Sequence, residues 1–123
     1  MSAYDLLAFG HPMPGEPDVS HPQPERRITG NPRRETWNLL DAPLGTAQTL
    51  STGIWRCEPG KWAIRFGPAE REIFTVLQGR CRVYRDDGSS EEAGPGQSIH
   101  LPPGFTGAFE VIETVVKVYV IVE

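Results

Sequence analysis

Histidine is scarce in this chain. There are three in 123 residues, His11, His21 and His100, and none in the 78 positions between the last two. A transition-metal centre rich in imidazole therefore has no donors in the middle of the sequence. Cysteine is scarcer still. Cys57 and Cys81 each sit in an apolar, strand-like run, which excludes a disulfide scaffold and fits buried free thiols. No stretch approaches the ~18 apolar residues of a membrane span. The apolar run from Leu6 to Phe9 is too short for a signal peptide and no basic segment precedes it. These absences predict a soluble, cytoplasmic protein with no membrane partner. Basic residues are also in deficit, 12 against 16 acidic ones, for a net charge of −4. Without a basic field, nucleic acid is excluded as a partner. Lysine occurs only twice, as Lys61 and Lys117, against ten arginines.

Apolar residues make up 38% and charged residues 23%, the balance of an ordinary globular protein. One domain of this length buries roughly two-thirds of its unfolded surface. Six of the twelve prolines fall before residue 33. Proline has no amide to donate, so residues 1–34 read as an extended, proline-rich arm lying across the domain or a partner. Arg26, Arg27, Arg33 and Arg34 read as a solvated face of that arm. The segment ETWNLLDAPLG reads as a short apolar patch before a turn, at the start of a domain covering 35–123.

From Thr46 onward the pattern is short strands cut by turns. In KWAIRF, Trp62, Ile64 and Phe66 alternate with Lys61, Ala63 and Arg65. EIFTVLQ and RCRVYR follow, then a hairpin turn at Asp87-Gly88, whose residues tolerate positive φ. SSEEA, QSIHL, FTGAFEVI and TVVKVYVIV complete the chain. Many short strands with Gly/Pro turns and no helical periodicity predict an all-β sandwich or barrel. The last strand is apolar on both faces, so its outer face needs cover. A homodimer packed through the outer sheet, with the arm reaching across, is the expected source.

Two motifs are more specific. The stretch from Gly60 to Gly79 carries Phe66, Pro68 and Glu72 at fixed intervals, and Gly96, Pro102, Gly104 and Gly107 follow. With GIWRCEPGKW, EREIFTVLQG, DDGSSEEAGPGQ, LPPGFTGAFEVIE and KVYVIVE, the chain resembles the cupin superfamily. Within it, the wording is similar to the (S)-ureidoglycine aminohydrolase-type subfamily, over roughly residues 35–123. The resemblance implies a single jelly-roll barrel, or double-stranded β-helix. It places Phe66, Pro68, Glu72 and Gly107 at the family's four metal-ligand positions, of which only Glu72 keeps a donor.

Side chains two apart on a strand share a face. The expected pocket lining is therefore Trp62, Phe66, Pro68, Glu72, Phe74, Gly107 and Phe109, an aromatic cup with one carboxylate. Transition metals need three or four donors, so no metal cofactor is expected. A divalent transition metal, if bound, would use Glu72 with His100. Glu72 itself has three readings. It is paired with an arginine or hydrogen-bonded to backbone or water, it recognises a cationic or amine-bearing small molecule among aromatic faces, or it acts as a general acid or base. Catalysis would need a second polar group from Tyr84, Tyr119, Lys117 or His100. Lys117 otherwise reads as an outer-face side chain or a partner of Glu110 or Glu113. Glu70 reads as a loop residue, and Trp37 and Trp55 as core or interface. The functional expectation is a small-molecule-binding barrel. The alternatives are a hydrolase or isomerase acting on a small nitrogen-containing metabolite or sugar acid, and a ligand-free interaction barrel.

Overall fold

In the computed structural model, residues 5–123 are described, so the first four residues of the expected arm lie outside the described residues. The fold is all β, as the alternation predicts, and is a curled sheet of jelly-roll type. Its spine is a pair of long antiparallel strands, β6 (Arg71–Arg85) and β9 (Thr106–Val122). Each was expected as two short strands, and each is continuous through a bend. On the other side of β9, β4 (Gln48–Cys57) pairs with its second half and β5 (Gly60–Arg65) with its first. β7 (Ser90–Ala93) and β8 (Ser98–Leu101) pair with the free edge of β6.

The bends are possible because β6 carries a run of register shifts around Gly79. Gly79 has φ +80°, and a Cβ there would lie 2.0 Å from the Thr114 carbonyl oxygen of β9. Only glycine lets the two backbones approach this closely at the corner.

Residues 35–45, expected as an apolar patch before a turn, fall almost entirely in the 11-residue strand β3 (Arg34–Leu44), paired with β4 along its length. Polar and apolar positions are mixed along it, which hides its alternation. The arm is more ordered than its prolines suggest. β1 (Asp18–Ser20) pairs with β3 and β2 (Arg27–Thr29) with β5, so residues 18–29 dock on the two edges of their own sheet. Two of the arginines expected to be solvated help to stitch this down. Arg27 Nε donates to the Pro22 carbonyl at 3.0 Å and Arg34 to the His21 carbonyl at 3.1 Å. The arm is also tied to β3 farther along the sheet. Trp37, in register with buried Ile54 on the outer face, donates its indole N–H to the Gly15 carbonyl at 3.0 Å.

The core lies inside the curl. Trp62, Phe74, Val76, Val83, Leu101, Phe109, Val111, Val115 and Tyr119 pack there with both cysteines. Burial pushes the Cys57 thiol up to about 12 and the Cys81 thiol up to about 11. Because the thiolate is the reactive species, iodoacetamide at pH 8 is expected to alkylate neither cysteine in the native protein and both in urea. Mass spectrometry of the two samples checks this.

Candidate functional site

Four cross-strand pairs build the floor of the barrel's interior. Trp62 of β5 lies opposite Phe109 of β9. Trp55 of β4 and Val76 of β6 flank Lys117 of β9. Phe74 of β6 lies opposite Tyr119. The rings form one cluster, with Phe109 5.4 Å from Trp62, 5.7 Å from Trp55 and 5.9 Å from Phe74, centroid to centroid. Tilted and edge-on contacts of this kind add about 0.5–1.5 kcal/mol per pair beyond area burial.

Lys117 projects into this cluster. Its Nζ lies 4.2 Å from the Phe74 ring centroid, 4.5 Å from Trp55 and 4.8 Å from Phe109. Its hydrogen-bonding partner among the described residues is Glu72 Oε2, at 2.8 Å. The two side chains are 7% and 12% exposed, so the pair is largely withdrawn from water. This corrects the expectation of an outer-face Lys117. Glu72 thus has a lysine where an arginine was expected, and that lysine is one of the four candidate second polar groups.

Above the pair is a half-open cavity of about 340 Å³. Trp55, Trp62, Ile64, Phe66, Leu101, Phe109 and Ile121 give it an apolar wall, and Glu72, Lys117 and Tyr119 a polar floor. Thr36, Asn38 and Ser51, from β3 and β4, line the remaining side with Glu123. There the Tyr119 hydroxyl donates to Asn38 Oδ1 at 2.7 Å, and Asn38 and Ser51 both donate to Asp41, at 3.0 and 2.6 Å. Burial pushes the Tyr119 phenol up to about 12, with the Asp41 charge acting in the same direction. Tyr119 therefore remains a hydroxyl at any physiological pH.

The cavity brings together Trp62, Phe66, Glu72 and Phe109 of the expected lining, with Phe74 packed beneath it. It excludes Pro68 and Gly107. Pro68 is exposed in a turn that Glu70 closes by accepting the Gly67 N–H at 3.0 Å. At Gly107 a Cβ would lie 1.9 Å from the Tyr84 carbonyl oxygen and 3.0 Å from the Phe105 ring, so backbone and Phe105 fill that space. Of the four candidate second groups, Lys117 and Tyr119 face the cavity. Tyr84 donates to Glu110 at 2.7 Å beneath the Lys61 ammonium, away from Glu72. His100 is exposed on β8, opposite outward-facing Ile73. Thr36 and Asn38 were missed because β3 was not read as a strand, and Ser51, on β4, because it is a polar residue facing inward.

The donor set does not fit a transition metal. The Lys117 ammonium occupies the space against Oε2 where a cation would sit, and His100 faces away. Among the described residues, no group of three or more His, Cys, Asp or Glu side chains is placed to hold a metal ion.

The model of the EutQ-like cupin domain family matches residues 44–119. A protein of unknown function from Pseudomonas syringae pv. tomato superposes with a TM-score of 0.72 at 24% identity, covering 87% of this chain and 44% of that one. This chain thus spans less than half the length of that neighbour. The EutQ protein of Clostridium difficile superposes with a TM-score of 0.62 at 24% identity, over 85% of this chain and 79% of that one. A putative ethanolamine utilization protein from Salmonella typhimurium gives 0.62 at 17% identity, over 87% and 97%. Similarity at these identities shows the fold. No curated protein matches the chain. Among the described residues no helix is long and apolar enough to cross a membrane.

Proposed function

Because this chain belongs to the EutQ-like cupin domain family, we propose that its barrel binds a compact organic molecule in the interior cavity, using the Lys117–Glu72 floor in place of a metal. The observation that carries this reading is the cavity of about 340 Å³ with a buried ion pair on its surface. That volume is within the range of small-molecule sites, and a mostly apolar wall with few convergent polar groups is their usual composition. A ligand-free barrel plugged by its own rings would leave no such space.

The pair also narrows the ligand. Glu72 already has its cation, so a ligand amine gains little there. The group with donors to spare is the Lys117 ammonium, since the Tyr119 hydroxyl already gives its one proton to Asn38 Oδ1. The ligand that fits has a flat or apolar body against Trp55, Trp62 and Phe109 and a carbonyl or carboxylate oxygen directed at Lys117.

A second reading is favoured by the same 2.8 Å contact. Glu72 and Lys117 supply a proton acceptor and a donor facing one cavity, the minimum equipment for acid–base chemistry. An enzyme of hydrolase or isomerase type, on a small nitrogen-containing metabolite as in (S)-ureidoglycine aminohydrolase-type cupins or on a sugar acid, would use Glu72 in that role.

Trp55 and Trp62 report on the cavity. Titration with benzoate, benzamide and benzyl alcohol is expected to quench their fluorescence saturably. The response should weaken roughly tenfold or more in Phe109→Ala, which removes a ring from the wall. No saturable change with any probe, and no shift of either indole N–H resonance, would sink the binding reading.

A further inference from the structure

We propose that Lys117 is a carbonyl-trapping residue, whose Nζ condenses reversibly with a compact aldehyde or ketone in the cavity while Glu72 carries the proton. This deepens the small-molecule reading and rests on it.

Three features of the site point to this chemistry. Lys117 is buried at the end of an apolar chamber, where its ammonium has lost most of its hydration. Among the described residues, the acceptor for one of its protons is Glu72 Oε2 at 2.8 Å. Moving that proton removes two buried charges at once, and each such charge costs several kcal/mol in lost hydration. The amine left behind has a free lone pair and a cavity in front of it. Lysines held in apolar pockets are the usual nucleophiles for carbonyl substrates.

The condensation balances without any further reagent. Glu72 takes one proton from the Lys117 ammonium. The nitrogen lone pair forms the N–C bond, and the C=O π pair moves onto oxygen, which takes the proton back from Glu72. A second N–H proton, passed through the same carboxylate, converts the carbinolamine hydroxyl to water as the C–O bond breaks. The product is a protonated imine and one water, with Glu72 again ionised beside the new cation. Trp55, Phe74 and Phe109 present ring faces or edges within 5 Å of that nitrogen. They favour the iminium charge and limit the water that would hydrolyse it.

The composition makes the test clean, because Lys61 is the chain's other lysine. The intact wild-type protein is incubated with benzaldehyde and sodium cyanoborohydride, which reduces an imine to a stable amine, and the adduct is mapped by peptide mass spectrometry. Benzyl alcohol, isosteric but unreactive, is titrated in parallel by tryptophan fluorescence. The expected result is a single adduct on Lys117, suppressed by excess benzyl alcohol. Labelling in Glu72→Gln should be slower by roughly 100-fold or more, the usual contribution of a positioned acid–base group. Label confined to Lys61 and the N-terminal amine, with benzyl alcohol still binding, would overturn the trapping proposal and leave the binding reading standing. No label on Lys117 and no response to benzyl alcohol would overturn both.

Discussion

Lys117→Met is expected to destabilise the native fold by roughly 3–5 kcal/mol, because it strands the Glu72 carboxylate among aromatic rings with no cation. Glu72 is only 12% exposed and Lys117 is its ion-pair partner at 2.8 Å, so solvent can replace little of what is lost. A loss of that size is a large fraction of the 5–15 kcal/mol that holds an ordinary domain together. The double variant Lys117→Met/Glu72→Leu should recover most of it, because two apolar side chains in this setting carry no desolvation cost. Urea unfolding of the wild type, both single variants and the double variant closes the cycle. Strictly additive single effects would mean that the two groups are not coupled. That result would remove the basis for treating them as one functional unit.

Gly79→Ala is expected to cost about 3 kcal/mol or more. Two separate penalties combine there. A residue with φ +80° pays for a left-handed backbone, and a new Cβ 2.0 Å from the Thr114 carbonyl oxygen forces β6 and β9 apart at their shared bend. Gly88→Ala isolates the first penalty, since Gly88 has φ +88° but nothing within 4 Å of the added methyl. It should cost only about 1–2 kcal/mol. Denaturation midpoints of the two variants measure the difference. Equal losses would show that the close approach at the corner contributes nothing.

The all-β class and the faces of β5 and β6 were legible because Trp62, Ile64 and Phe66, and then Glu72, Phe74 and Val76, alternate cleanly. Lys117 was within reach of the same rule. Phe109 and Lys117 are eight residues apart, an even number, and in one unbroken strand they share a face. Dividing β9 at Glu113 discarded that parity and put Lys117 outside. Pro68 and Gly107 failed for a different reason. They were placed by motif position rather than by alternation or space, and this chain fills the Gly107 position with Phe105 and the Tyr84 backbone. The β3 side of the cavity was illegible because Thr36 and Asn38 are polar residues facing inward, the reverse of what binary patterning expects. Such reversals collect where a protein keeps a site rather than a core.

The two short strands of the arm are separated by six residues, yet they lie on opposite margins of the wide sheet, β1 beside β3 and β2 beside β5. A stretch that short reaches at most about 25 Å, so the margins it joins must curl toward each other. Each margin would otherwise offer unpaired N–H and C=O groups to any passing chain. One proline-rich segment thus caps part of each margin with a strand of three residues, too short to template a further chain. Because the strands share so short a tether, peeling one from its margin loosens the other, and protection against self-association is gained or lost in a single step.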